Sequence, residues 1–190
     1  FAVGDVPVTL PVVCYNYCGT CAEQDAESNG GGGAAAPTDN AAEPTLPEAE
    51  VISVYGSAYT SIATNLNPGW GQSGTVDAEY DPGTGNTVLQ YANFNYQGTD
   101  LTNADASGMT HLHLDVWVEA GTDRQLKVTP VNAAPGGNQE SLVNVPLTPG
   151  AWNSVDLAQT DFVGMTWENL IQMKFDGQFN GDGSANTTGY

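Results

Sequence analysis

Nine consecutive residues constrain this chain more than any other feature. In Thr110-His111-Leu112-His113-Leu114-Asp115-Val116-Trp117-Val118, polar and apolar side chains alternate. A period of two belongs to an extended strand: Leu112, Leu114, Val116 and Val118 fall on one face, and His111, His113, Asp115 and Trp117 on the other. A helix would scatter the same residues around its axis. The pattern recurs in Leu170–Asp176, where Ile171, Met173 and Phe175 oppose Gln172, Lys174 and Asp176. In Tyr91–Gln97, Phe94 and Tyr96 oppose Asn93, Asn95 and Gln97. In a further run, Leu126 and Val128 oppose Lys127 and Thr129. Such runs, each closed by Gly, Pro, Asn or Asp, predict strands near 51–55, 75–80, 87–96, 110–118, 124–131, 140–145, 152–157 and 170–176. No segment sustains a 3.6-residue period, although 161–170 has room for one short helical turn. Many short strands separated by turn signals predict an all-β fold, a sandwich or a barrel.

The texture before Val51 is different. Residues 1–22 form an arm with one short alternating piece, Val6-Pro7-Val8-Thr9-Leu10, followed by Pro11. Two prolines in a strand pattern predict an edge or an extended arm, or the end of a preceding module. Residues 23–50 are acidic, contain Gly30-Gly31-Gly32-Gly33 and Ala34-Ala35-Ala36-Pro37, and have almost no large apolar side chain. That is the composition of a linker without regular structure. The folded domain is therefore expected over 51–190.

The arm also holds all three cysteines, Cys14, Cys18 and Cys21, whose spacing fits one disulfide and one free thiol in an oxidising compartment. A zinc knuckle would need a fourth ligand, and both histidines lie far away in the sequence. No run of 18 apolar residues exists, so membrane insertion is not expected. The absence of a signal peptide is read as processing or as a place inside a larger protein, which keeps secretion or a cell-surface location open. The formal net charge of −19 comes from 22 acidic residues against Arg124, Lys127 and Lys174. A field of that sign disfavours nucleic acid and anionic membranes as partners. Neutral sugars, divalent cations and other proteins remain.

The polar faces carry rings among hydrogen-bonding groups, the mixture that a sugar site requires. Trp117 shares its face with His111, His113 and Asp115. Trp70 lies in a Pro68-Gly69-Trp70-Gly71 loop, from which an indole can stack on a pyranose or else cap the core. Asn95, Gln97 and Lys174 add donors and acceptors if their strands neighbour 111–117. Trp152 and Trp167 are read as packing residues. Catalysis is not expected. No Gly-x-Ser-x-Gly elbow or phosphate loop occurs, nor any Glu-x-Asp-x-x-Glu strand of the kind that would pair carboxylates across a cleft, and the cysteines lie outside the sandwich.

Ordered blocks extend the reading. Val51-Ile52-Ser53-Val54-Tyr55 with Ala58-Tyr59-Thr60 is followed by Asn67-Pro68-Gly69-Trp70-Gly71-Gln72 and Asn95-Tyr96-Gln97-Gly98-Thr99. Then come Met109 to Trp117, Trp152-Asn153-Ser154-Val155-Asp156 and Gln172-Met173-Lys174-Phe175-Asp176-Gly177. Over about residues 48–177 this series resembles a module of large secreted multidomain proteins of marine Bacteroidota. There it sits beside family-16-type β-glucan hydrolases and in surface glycan-binding proteins. The resemblance implies a carbohydrate-binding β-jelly roll, a β-glucan-type polysaccharide as ligand, and neighbouring modules or subunits as further partners. It also implies a structural Ca²⁺ held by the Asp176 carboxylate with carbonyls near Ser57 to Tyr59. The chain departs from that pattern in two ways: Ser57 stands where Asp is common, and no final strand with an Asp-Asn pair follows Gly177. A neighbour supplying that strand would fit a second reading, a structural or adhesive module of an extracellular assembly with no sugar ligand.

Overall fold

The alternating runs close into two antiparallel sheets. A computed structural model of the chain describes residues 36–120, 125–180 and 182–184, together with the backbone of Val8–Thr9 and Val12–Tyr15. The strands, in chain order, are β1 (Val8–Thr9), β2 (Val12–Tyr15), β3 (Val51–Ser53), β4 (Thr64–Asn65), β5 (Thr75–Tyr80), β6 (Val88–Ala92), β7 (Tyr96–Ala104), β8 (His111–Trp117), β9 (Gln125–Ala134), β10 (Gly137–Glu140), β11 (Val143–Pro146), β12 (Trp152–Ala158) and β13 (Leu170–Asp176). The first sheet has the order β3-β2-β8-β1-β6-β5, with β12 on the other edge of β8. The second has the order β10-β9-β13-β7-β4, with β11 also on β9. Two single 3₁₀ turns, Glu48–Glu50 and Gln159–Asp161, are the only helical residues among those described. Among the described residues no helix is long and apolar enough to cross a membrane.

The core forms where the apolar faces of the two sheets meet. Leu112, Leu114 and Val116 from the first sheet, and Leu126, Val128 and Met173 from the second, are each fully buried. Aromatic rings bridge the layers: Tyr91 of β6 stacks on Phe94 at 5.5 Å and meets Phe175 of β13 at 6.4 Å. One end is closed by Phe162 and Trp167, packed edge to face at 5.4 Å.

Two features differ from the sequence expectation. The predicted strand 87–96 is broken. Asn93 has φ of 51°, a left-handed conformation that asparagine tolerates, and the chain leaves β6 there to enter β7 in the opposite sheet. The arm around residues 8–15, expected at an edge or outside the domain, lies inside the first sheet. β2 pairs with β3 on one side and β8 on the other, and β1 pairs with β6 and β8.

The segment before β3 is also engaged. Residues 36–47 contain no helix or strand but lie as a strap against the sandwich. Pro37 is buried. Trp152 Nε1 donates to Asp39 O at 2.8 Å, Tyr59 OH donates to Leu46 O at 2.9 Å, and Glu48 Oε1 accepts from Thr60 N at 3.0 Å.

Candidate functional site

The outward face of the second sheet carries an open groove of about 600 Å³. It is built on β7, β13 and β9. Register fixes which side chains reach it: Tyr96 lies opposite Asp176, Gly98 opposite Lys174, and Asp100 opposite Gln172. Paired residues in an antiparallel ladder share a face, so these six positions line one surface. Lys174 is in turn opposite Thr129 of β9.

Trp70 forms one wall. A Cβ placed on Gly98 would sit 2.7 and 2.8 Å from two carbons of the six-membered ring of Trp70, so the indole occupies the space that glycine leaves open. Its loop is held by several bonds. Trp70 N donates to Gln72 Oε1 at 2.8 Å, Gln72 Nε2 donates to Pro68 O at 2.6 Å, and Tyr96 OH donates to Trp70 O at 3.0 Å. Trp70 is thus half-buried and held in place beside the groove rather than buried in the core.

The floor is polar and already ordered. Lys174 Nζ pairs with Glu140 of β10, and Gln172 Nε2 donates to Asp100 Oδ1 at 2.9 Å. Asp176 Oδ1 accepts from Gln178 N at 2.8 Å. Leu142, 52% exposed, adds an apolar contact at the rim. A ring, an apolar rim, an ammonium, an amide and several carboxylates therefore face one open space. Each polar group is held by a partner that fixes its direction, which limits the ordering a ligand must impose.

The residues singled out in the sequence divide between the two sheets. Trp70 and Lys174 meet in this groove. Gln97 borders it, but its register partner is the core residue Phe175, which in turn lies opposite Val128, and its side chain is 2% exposed on the inward side. Its Oε1 has no hydrogen-bond partner among the described residues. Asn95 lies in the β6–β7 crossing, where its Oδ1 accepts from Ser73 N at 3.2 Å and its carbonyl from Gly177 N at 2.9 Å. It therefore holds loops together.

His111, His113, Asp115 and Trp117 belong to the other sheet, because β8 pairs with β12, β1 and β2 and never with β7 or β13. The expectation that Lys174 and Gln97 join them on one face is corrected by that topology. Nor is their face open. Trp117 is 2% exposed and Asp115 7%. The strap residues 40–44 close over His113, Asp115 and Trp152, leaving a cavity of only about 60 Å³. His111 Nδ1 lies 2.9 Å from Thr110 Oγ1.

His113 makes the strongest electrostatic arrangement on that face. Its Nδ1 lies 2.8 Å from Asp156 Oδ1 and its Nε2 3.3 Å from Asp115 Oδ2. Burial disfavours the imidazolium, but the two carboxylates outweigh it and push the pKa up to about 9. The ring is a charged link between β8 and β12 rather than an available sugar contact.

The calcium shell inferred from the resemblance is not brought together. Asp176 lines the groove of the second sheet, whereas Ser57 to Tyr59 line the small cavity of the first. Among the described residues no group of three or more His, Cys, Asp or Glu side chains is placed to hold a metal ion. Of the cysteines, the backbone of Cys14 lies in β2, and Cys18 and Cys21 fall outside the described residues.

Sequence reasoning passed over Tyr96, Asp100, Thr129, Glu140 and Leu142. The available signal was Gly98. Tyr96, Gly98 and Asp100 share one face by alternation, with a gap at the glycine that a neighbouring ring can fill; a strand continuous with Phe94 would turn that face inward, and the break at Asn93 turns it outward.

Fold and groove together define the class: an all-β, antiparallel two-sheet protein with an aromatic-walled polar groove on one outer face. Comparison with protein-family models, with curated proteins and with solved structures finds no match to the chain.

Proposed function

We propose that this chain is a non-catalytic carbohydrate-binding module of a secreted or cell-surface protein, and that the groove on β7, β13 and β9 holds the sugar chain. The observation that carries this reading is the seating of Trp70 over Gly98 beside Lys174, Gln172 and Asp100. A pyranose presents an apolar C–H face to an aromatic ring and hydroxyls around its edge, and the groove offers that complement. An open groove, rather than a closed pocket, suits a polymer that continues past the site. Asp100, Glu140 and Asp176 are tied to Gln172, Lys174 and the Gln178 amide, an arrangement that orders a binding surface. The β-glucan class implied by the sequence resemblance is the first ligand to try.

The test is a glycan array on the full chain followed by titration of the best ligand. Trp70→Ala is expected to weaken binding at least tenfold, about 1.4 kcal/mol, with an unfolding midpoint close to wild type. Trp117→Ala is expected to destabilise the fold by roughly 3–5 kcal/mol, as for other buried tryptophans, without moving the affinity of the folded fraction. Wild-type affinity in Trp70→Ala would remove the groove from consideration, and an array with no positive glycan would remove the function.

A further inference from the structure

The first sheet contains a strand that is remote in sequence from the domain it completes. Thr9 lies opposite Trp117, Val12 opposite Leu114, Val13 opposite His113, Cys14 opposite Leu112 and Tyr15 opposite His111. The register is constant through the break between β1 and β2, so one stretch of chain runs along the whole of β8. Its other edge is divided: Val8 and Thr9 face Tyr91 and Gln90 of β6, and Val13 to Tyr15 face Ser53 to Val51 of β3. Residues 8–15 therefore fill a slot bounded by three other strands.

An empty slot would be costly. Strands pair at about 4.8 Å, so removing this one leaves a gap of roughly 9–10 Å, too wide for β8 to bond directly to β6 or β3. The facing N–H and C=O groups of all three strands would lose their partners, which is the condition that makes a sheet edge capture another chain. Only an extended segment restores those bonds.

The segment that fills it is joined to the sandwich by a long tether. Residues 16–35, twenty in number and including four consecutive glycines, separate Tyr15 from the strap. Their contour limit is roughly 66–72 Å, against a radius of gyration of about 14 Å for a domain of about 140 residues. The tether is long enough to seat the strand in its own domain or in the next one. The paired stretches are short, two residues in β1 and four in β2, so few ladder bonds hold the segment, which lowers the barrier to release.

From this placement we propose that residues 8–15 are an exchangeable strand, and that the slot between β8 and β6/β3 accepts the same residues from a second copy of this chain. Exchange around a closed pair gives a dimer, and exchange passed on from copy to copy gives a linear chain of domains. The proposal does not depend on the glycan reading. Tethering gives the strand of the same chain an effective concentration in the millimolar range, so exchange is governed by protein concentration at refolding.

The experiment unfolds the full chain and refolds it in reducing buffer at about 0.02 mM and about 2 mM, concentrations that bracket that range. Products are sized by chromatography with light scattering. Monomer is expected at the low concentration, and discrete multiples, at least fivefold more abundant, at the high one. A free peptide of residues 6–17, added in tenfold excess at refolding, is expected to occupy the slot and lower the multiples at least fivefold. Val13→Pro, which removes one backbone N–H from the strand between β3 and β8, is expected to refold without multiples. Absence of multiples, an equal yield at both concentrations, or indifference to the peptide would each overturn the proposal. Because the peptide acts on the wild-type chain, the answer does not depend on whether Val13→Pro folds.

Discussion

A single missing side chain organises the groove. A Cβ at position 98 would lie 2.1 Å from the carbonyl oxygen of Met173 as well as against the Trp70 ring. The ring can swing aside, but the carbonyl belongs to a ladder strand and moves only with β13. Gly98→Ala is therefore expected to displace Trp70 into solvent and to loosen the β7–β13 pairing. The displacement should appear as a red-shifted, more quenchable tryptophan emission, with an unfolding free energy lower by about 1–3 kcal/mol, the usual cost of overpacking. Emission and stability both like wild type would mean that Trp70 does not depend on the glycine for its position. The contrast with Gln97 shows how finely the face is divided. One residue earlier in the strand, the side chain is buried with an amide oxygen that finds no described partner, a desolvation cost of about 1–3 kcal/mol. Gln97→Leu, close in size and free of that oxygen, is expected to fold at least as stably as wild type by chemical denaturation, with glycan binding unchanged. Loss of stability would show that the amide makes an interaction that leucine cannot replace.

At the scale of elements, β8 and β12 are joined by more than their ladder, because His113 carries its charge between Asp115 and Asp156, with Glu43 of the strap lining the same small cavity. A histidine held at about 9 in the folded state against 6.5 in the unfolded one stabilises fully below about pH 6.5. The contribution is lost as pH rises through 9. Urea midpoints are therefore expected to fall between pH 6.5 and 9.5, by up to about 3 kcal/mol in unfolding free energy. His113→Gln should show a much flatter profile over that window, and parallel profiles would sink the assignment. The elements also show what the sequence could and could not reveal. The bounds of the segments 75–80 and 170–176 were legible to the residue, because both runs alternate in sequence and end near turn residues. The register shifts between Asp77 and Tyr80 in β5 and between Leu170 and Gln172 in β13, the latter leaving Leu170 rather than Ile171 buried, were not. β7 was not legible, since Gly98, Asp100 and Asn103 within Tyr96–Ala104 read as punctuation when their partners across the ladder are unknown. The face of His111, His113, Asp115 and Trp117 was correctly separated from Leu112, Leu114 and Val116. That it lies beneath a strap of residues 40–44 depends on a stretch with no periodicity, and period is what sequence reading detects. Likewise nothing local in the pattern of β13 says which sheet it joins, so Lys174 could be placed on a polar face but not beside Trp70.

For the whole molecule the governing quantity is charge. With 22 carboxylates against three fixed cations, folding gathers like charges that the unfolded chain holds farther apart, and self-repulsion opposes the compact state. Salt screens such repulsion over a Debye length of about 30 Å at 0.01 M and about 8 Å at 0.15 M. The unfolding temperature is therefore expected to rise by a few degrees between those two ionic strengths, where about 2–4 °C corresponds to 1 kcal/mol for a chain of this size. A midpoint that falls with salt would mean that the close pairs, Lys174 with Glu140 and His113 with its two aspartates, outweigh the general repulsion. The same field bears on the ligand. A sulfated or uronic polysaccharide would approach a groove lined by Glu140 and Asp176, with Asp100 on the same sheet face and Lys174 as the one cation among the lining residues. It would do so against the net charge of the whole chain. An uncharged glycan meets no such barrier and binds through ring contact and hydrogen bonds, neither of which salt screens appreciably. Its dissociation constant is therefore expected to change less than about twofold between 0.05 and 0.5 M NaCl, since no counterions are released when a neutral partner binds. A steep dependence in calorimetric titrations across that range would mean that the sugar carries charge, and that Lys174 leaves Glu140 to meet it.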